Sequence, residues 1–274
     1  MSYLFDDFAV RAYIAAVLVG VAAPIIGCFL VQRKLSLIGD GMGHLAFAGV
    51  ALGVALGFAP VWGALIVAIL GALLLERLRA RGRLASDLSL ALIFYFGIAL
   101  GVVVLSATGR FNGTAFGVLF GSPFSTTNSE LWLILGLCVL VVGAVSAFYK
   151  ELVAVALDEE TARASGLPVD QLNVMLVVLV AMLVAAGMRV VGLLLIAALM
   201  VIPVATGSRL AHSFRGAMYW AVAAGVVSAL LGVVIAVVQG SVAPGGSIVL
   251  TAIAMFFVAS VAGRRAARLH VRWS

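Results

Sequence analysis

Nine apolar stretches constrain this chain more than any other feature. They fall at roughly 10–31, 42–58, 60–75, 89–106, 131–148, 172–188, 190–207, 216–238 and 247–262, and most approach the ~20 residues an α-helix needs to cross a bilayer. Backbone amides and carbonyls find no water in hydrocarbon, so runs of this kind fold as helices whose hydrogen bonds are internal. Of the 274 residues, 65% are hydrophobic and 10% charged, against about 25% charged in an ordinary soluble domain. A water-soluble fold would need a charged shell that this chain does not possess. The expected fold is all-α, a polytopic membrane protein of about eight or nine transmembrane helices. No break in composition marks a second domain, so residues 1–274 are expected to form a single transmembrane domain.

The net charge of +6 is not a nucleic-acid signature, because the basic residues lie between the apolar runs. Placing Arg33, Lys34, Arg77, Arg79, Arg81, Arg83, Lys150, Arg163, Arg209, Arg215, Arg264, Arg265, Arg268 and Arg272 on one side leaves only Arg11, Arg110 and Arg189 on the other. The positive-inside rule makes the first side cytoplasmic. Strict alternation then sets the N-terminus outside and the C-terminus in the cytoplasm. The short, glycine-rich run 42–58 opens a second version: if it enters and returns on one side, the N-terminus is inside, and everything from residue 60 onward keeps its orientation. Cys28, which follows Ile25-Ile26-Gly27, superficially matches a lipoprotein cleavage site, but Asp6 and Asp7 in the leader and the many later spans favour retention. Cys28 and Cys138 lie inside apolar runs and read as small buried hydrophobes.

No G-x-x-x-x-G-K-[ST] loop occurs and no nucleophile, base and orienting group converge, so the chain is not expected to be an enzyme. Any ATP hydrolysis would belong to another chain.

Two segments carry chemistry. In Ile38-Gly39-Asp40-Gly41-Met42-Gly43-His44, Asp40 and His44 are four apart and share one helix face. A carboxylate and an imidazole so placed can reach one divalent cation, and two ligands are few enough to let it leave again. The alternative is structural, with Asp40 capping the following helix and His44 hydrogen-bonded within the bundle. Gly39, Gly41 and Gly43 are expected to loosen the backbone beside the pair, and Gly53 and Gly57 to serve packing. The second segment runs from Asp158 through Glu159, Glu160, Thr161, Ala162, Arg163, Ala164 and Ser165 to Gly166, with Pro168 beyond. Asp158 suits an N-cap, Glu159 and Glu160 the positive helix end, and Gly166 the stop; Glu159 and Arg163 are spaced to pair. This predicts a short surface helix, either a connector or an element that docks on a partner.

Taken in order, these segments resemble the permease subunits of bacterial ABC importers for zinc, manganese and iron. Gly39-Asp40, His44 and Gly49-Val50-Ala51-Leu52-Gly53 resemble that family's G-D…H…G-V-A-L-G segment. Residues 158–162 with Gly166-Leu167-Pro168 look like its cytoplasmic coupling helix, and Val191–Leu195 through Ala198–Thr206 like its V-G-x-L-L…A-L-L-x-x-P-A-A-x-A stretch. Pro244-Gly245-Gly246 resembles the turn before its last span. The resemblance implies a multi-pass subunit of the bacterial cytoplasmic membrane. It would pair with a second permease copy, bind an ABC ATPase dimer near 158–166, and receive metal from an extracytoplasmic binding protein. It also implies that Asp40 and His44 contact a transported ion, with no permanently bound cofactor. The chain departs from the pattern at Gly41-Met42-Gly43 and Leu45. Ala48, where manganese and iron members often carry proline, leans the expected cargo toward zinc, with manganese or iron as the alternative. A second class, an ATP-independent secondary cation transporter, would use Asp40 as its ion or proton site and need nothing at 158–165.

Smaller expectations concern isolated polar residues. Arg189 is expected to snorkel toward the interface, His212 to lie on a solvated face and His270 to meet lipid headgroups or solvent. Asn112, Glu130 and Gln239 stand as possible further ligands.

Overall fold

A computed structural model describes residues 7–80, 86–109, 117, 119–193, 195–240 and 242–271. The expectations for Arg81, Arg83, Arg110, Asn112 and Arg272 fall outside these residues, as do the side chains of Arg264, Arg265, Arg268 and His270. The described residues are helical, with short turns and no strand. In chain order the helices are α1 (Asp7–Gln32), α2 (Ile38–Leu56), α3 (Pro60–Ala80), α4 (Ser86–Ala107), α5 (Asn128–Ala147), α6 (Tyr149–Leu157), α7 (Glu159–Ala164), α8 (Val169–Gly187), α9 (Ile196–Leu210), α10 (Phe214–Gln239) and α11 (Pro244–Val271). A 3-10 turn, Pro123–Ser125, precedes α5. Eight of these helices are long and apolar enough to cross a membrane.

The run read as a span at 190–207 forms α9, of only 15 residues, preceded by non-helical backbone over 188–193 and at Leu195. Gly192 takes φ +94°, which breaks the helical path. Non-helical backbone is tolerated at this depth because it is enclosed by protein: Val190, Val191 and Leu193 are buried. Gly187 and Ile196, which flank the turn, meet beside Val19, midway along α1, and from there the turn reaches toward the end at which Arg189 pairs with Glu130.

α2 is one continuous helix of 19 residues, so residues 42–58 do not turn back within the bundle. It packs antiparallel to α3, with Leu45 against Gly71, Gly49 against Gly63 and Gly53 against Pro60. At the Gly49–Gly63 crossing the two backbones touch directly, and any side chain at either position would occupy the other helix. Gly39, Gly41 and Gly43 therefore do not loosen the helix; they let Ala197, Leu90 and Leu193 approach it. Gly57 serves no packing role either: at φ +79° it ends α2, its amide donating to the Gly53 carbonyl.

Ion pairs and ring contacts sort the helix ends. At one end Arg33, after α1, meets Glu159 of α7 and Asn173 of α8. At the other, Arg11 donates to Asn128 at 3.2 Å, Phe8 packs on Phe124, and Arg189 pairs with Glu130. α1 therefore begins at the Arg189 end, and α11 begins there too, with Gly245 against the Val191 and Phe120 carbonyls. α1 and α11 therefore both run from the Arg189 end toward the Arg33 end.

α2 is the most enclosed span, 72% buried, whereas α4 and α5 are 28% buried and turn Leu92, Phe96, Val103, Trp132 and Val139 outward. In a lipid solvent such a face needs no protein cover. Cys28 and Cys138 are free and buried, as small hydrophobes.

Candidate functional site

α2 holds both expected ligands. Leu37 is its N-cap and makes no side-chain capping bond, so the first turn is not closed by Asp40. Asp40 sits at the third helical position, where helix geometry aims its side chain back along one face, and His44 stands one turn above. Both are half-buried. Neither side chain has a hydrogen-bond or ion-pair partner among the described residues. The structural alternative, a capping aspartate with a hydrogen-bonded histidine, thus finds none of its bonds.

Around the pair the walls are apolar and tightly built. The His44 ring meets Phe94 of α4 edge-on, with centroids 4.0 Å apart. Leu37, Asp40, Leu90, Ala91, Phe94 and Tyr95 line an open groove of about 300 Å³. Gly97 brings the α4 backbone against His44: a β-carbon there would lie 2.6 Å from the His44 carbonyl carbon and 2.7 Å from its oxygen. On the opposite side Gly43 lies against the Leu193 carbonyl, in the turn before α9. No group of three or more His, Cys, Asp or Glu side chains gathers anywhere among the described residues. Two protein ligands one turn apart can share one divalent ion that keeps part of its water shell.

Of the other candidate ligands, Glu130 and Gln239 fall within the described residues. Glu130 closes a capping box: its amide donates to Thr127 Oγ1 at 3.3 Å, and the Thr127 amide donates back to Glu130 Oε2 at 3.0 Å. Its other oxygen accepts from Arg189 Nη2 at 2.7 Å. Arg189 therefore does not snorkel; it is tied inward, and the Ser122 amide donates to its carbonyl at 3.0 Å. Glu130→Ala would leave a largely enclosed guanidinium without its counter-charge, an expected loss of roughly 2 kcal/mol. Thermal unfolding in detergent reads this out, and a melting temperature equal to wild type would show the pair to be incidental. Gln239 ends α10 at the same end of the bundle. His212 is exposed after α9, as expected.

At the Arg33 end the second segment folds as its sequence indicates. Asp158 caps α7, its Oδ1 accepting from the amides of Glu160 and Thr161, both at 3.0 Å. Thr161 Oγ1 donates to Asp158 Oδ2 at 2.6 Å. These bonds hold the Asp158 carboxyl below the usual carboxylate range, the hydroxyl bond of Thr161 contributing most. A carboxyl so lowered stabilises the cap throughout the range above its unfolded value, and that contribution disappears only as pH falls through the lowered one. Gly166, at φ +84°, stops the helix: the Gly166 amide donates to the Arg163 carbonyl at 3.1 Å and the Leu167 amide to that of Ala162 at 3.2 Å, a Schellman ending. Asp158→Ala is expected to speed amide exchange over residues 159–164 while Asp158→Ser leaves it near wild type. Equal protection in both would remove the cap from the account.

Of the residues in this segment, Ala162 is buried and Glu159 half-buried, whereas Glu160, Thr161, Ala164 and Ser165 are exposed. Glu159 and Arg163 do face each other, at 3.5 Å, but Arg163 makes its shorter bond to Asp170 at 2.7 Å. Sequence reasoning missed Phe94 and Asn173: nothing in their spacing ties them to His44 or Glu159.

The chain is similar to known proteins along most of its length. The "Manganese transport system membrane protein MntC" of Halalkalibacterium halodurans is 29% identical over 264 residues, covering 94% of this chain and 90% of that protein. A "Probable metal transport system membrane protein" of Treponema pallidum is 32% identical over 251 residues, covering 92% and 94%. The "Manganese import system permease protein ScaB" of Streptococcus gordonii is 31% identical, covering 92% and 90%. Among solved structures, PsaBC from Streptococcus pneumoniae in complex with Fab superimposes with a TM-score of 0.84 at 29% identity, over 94% of this chain and 92% of that one. An inward-facing putative metal-chelate type ABC transporter shares the fold, with a TM-score of 0.69 at 19% identity. Residues 5–263 match the model of the ABC 3 transport family, and the chain belongs to that family, as the multi-pass permease subunit of an ABC-type metal transporter in a bacterial membrane.

Proposed function

We propose that this permease imports Mn²⁺, with Asp40 and His44 as the protein ligands the ion meets in the translocation path. The observation that carries the reading is the pair itself: a carboxylate and an imidazole one turn apart on the most enclosed of the described spans, half-buried, with no hydrogen-bond or ion-pair partner for either among the described residues. Polar groups enclosed without partners are costly, and in a membrane they mark a pathway. Chemistry alone admits zinc, manganese or ferrous iron, since intrinsic affinity follows the Irving–Williams order whatever the cargo. The zinc expectation rested on Ala48 and finds no support among the relatives, two of which bear manganese in their names. Membership of an ABC family also displaces the ATP-independent reading.

In this reading the Arg33 end is cytoplasmic by the positive-inside rule, and so is the C-terminus. The exposed face of α7, within residues 158–166, engages an ABC ATPase dimer, and the Arg189 end receives the ion from an extracytoplasmic binding protein. The permease works with a second copy of itself as one domain per chain. Uptake of ⁵⁴Mn²⁺ and ⁶⁵Zn²⁺ by cells relying on this transporter tests the cargo: manganese accumulates and excess zinc competes only weakly. Accumulation of zinc without manganese would overturn it.

Protons compete with metal for imidazole. Uptake is expected to fall as external pH drops into the acidic range in which an imidazole takes up a proton. His44→Gln should flatten that profile as well as lower the rate. A wild-type profile already flat between neutral and mildly acidic medium would count against His44 as a ligand.

A further inference from the structure

We propose that Arg33 is the joint through which movement of α7 reaches the Asp40–His44 site. It rests on the reading above that α7 engages the ATPase.

Arg33 stands where three elements meet. Its Nη2 donates to Glu159 Oε2 of α7 at 2.8 Å, and its Nη1 donates to Asn173 Oδ1 of α8 at 2.7 Å. Its side chain is 9% exposed and that of Glu159 42%, so the guanidinium is enclosed while its acceptor on α7 stays partly open to water. Asn173 Nδ2 in turn donates to Glu159 Oε1 at 3.4 Å, and Arg163 approaches the same oxygen. Glu159 and the buried Ala162 thus face the permease, and Arg163 ties α7 to Asp170 of α8, while Glu160, Thr161, Ala164 and Ser165 face out. The helix has a partner-facing side and a side fastened to the bundle.

From Arg33 the chain runs to Asp40 in seven residues with no slack. The Lys34 amide donates to the Val31 carbonyl at 3.1 Å and the Leu35 amide to that of Leu30 at 2.8 Å, the two bonds of a Schellman ending. Lys34 takes φ +58° to make them, a conformation that a lysine adopts only when its surroundings impose it. The Ile38 amide then donates to the Leu35 carbonyl at 3.0 Å, and α2 begins. Every turn between the guanidinium and the Asp40 carboxylate is closed by a backbone hydrogen bond. α8, gripped by the same guanidinium, packs against both α2 and α3. A shift of α7 therefore moves Arg33, and Arg33 moves the first turn of α2 along one route and its neighbour α8 along the other. Arg33 is a positioning residue: it touches no ion.

Lysine can hold one of these two acceptors but cannot span both, since its ammonium lacks the planar fork. That sets the test. The permease with its ATPase and binding protein is reconstituted in proteoliposomes, and Mn²⁺ entry and ATP hydrolysis are measured in the same vesicles. R33Q is expected to copurify its ATPase in wild-type amount and to hydrolyse ATP, while Mn²⁺ moved per ATP falls about tenfold. R33K should lie between R33Q and wild type. E159Q should match R33Q, and the double variant should be no worse than either, because both remove one connection. An unchanged Mn²⁺-to-ATP ratio in R33Q overturns the proposal. So does loss of the ATPase from the R33Q complex, which would mean that Arg33 merely folds α7. Ala164→Trp, on the outer face, separates the underlying reading: if neither ATPase copurification nor flux changes, α7 is not the docking element and the joint has nothing to transmit.

Discussion

Asp40→Ala and His44→Ala are each expected to bring ⁵⁴Mn²⁺ uptake to background while leaving the permease in the membrane at wild-type abundance and bound to its ATPase. The size of the effect follows from the ligand count. With two protein ligands, removing one takes half of the fixed coordination, and every factor of ten in affinity is about 1.4 kcal/mol, less than a charge-assisted bond to an enclosed carboxylate contributes. Abundance should hold because neither side chain hydrogen-bonds or ion-pairs with another described residue: deleting them leaves no orphaned partner there, unlike Glu130→Ala. Asp40→Asn keeps the size and removes the charge, and should be nearly as impaired as Asp40→Ala if ion attraction is what the carboxylate supplies. Asp40→Glu moves the charge by one methylene and should retain part of the rate. Full uptake in Asp40→Asn would mean that the carboxylate does not meet the cation. Loss of the protein from the membrane in both alanine variants would mean that the pair is structural.

The bundle was legible because bilayer thickness imposes one length scale on every helix, and the apolar runs kept to it. The limits of that logic lie at residues 188–195. Its hydropathy continues that of a span, yet Gly192 breaks the helix, and the break survives because neighbouring helices, not lipid, surround it. Hydropathy measures affinity for an apolar environment and cannot tell lipid from protein interior. The same blindness affected the glycines of α2. A run of Gly39, Gly41 and Gly43 has low helix propensity, but tertiary approach by Leu90, Leu193 and Ala197 holds the helix and uses the missing side chains as room.

For the site, local chemistry was readable and its surroundings were not. Spacing alone put Asp40 and His44 on one face and closed α7 between Asp158 and Gly166. The partners across space had no signal. Arg33 lies 126 residues before Glu159 in the chain and reads as one more charge setting topology. Arg189 reads as a snorkelling residue until Glu130, in another helix, is seen to hold it. Charges near membrane ends have two uses, orientation and pairing, and sequence shows only the first.

Gly97→Ala is expected to disable transport almost as fully as loss of a ligand, although a single methyl group is added and no polar atom changes. That methyl would lie 2.6 Å from the His44 carbonyl carbon, 2.7 Å from its oxygen and 2.8 Å from the Leu45 nitrogen. All three are backbone atoms of α2, so no rotamer change can make room, and α4 must move off the helix that carries the site. Phe94, one turn before Gly97, moves with it and leaves the His44 ring. Overpacking of this kind costs about 1–3 kcal/mol, enough to lower the melting temperature measurably and to open the apolar wall beside the pair. Two controls give the prediction its specificity. At Gly101 the obstacle is the Phe47 ring, a side chain able to swing, so Gly101→Ala should cost less at the same helix interface. At Gly136 and Gly143 of α5 nothing lies within 4 Å, and alanine there should be neutral or stabilising by about 0.5–1 kcal/mol through its better helix propensity. Uptake and thermal unfolding measured on all four variants decide the matter. If Gly97→Ala transports as well as Gly143→Ala, close contact between α4 and the His44 backbone is not what shapes the ion path.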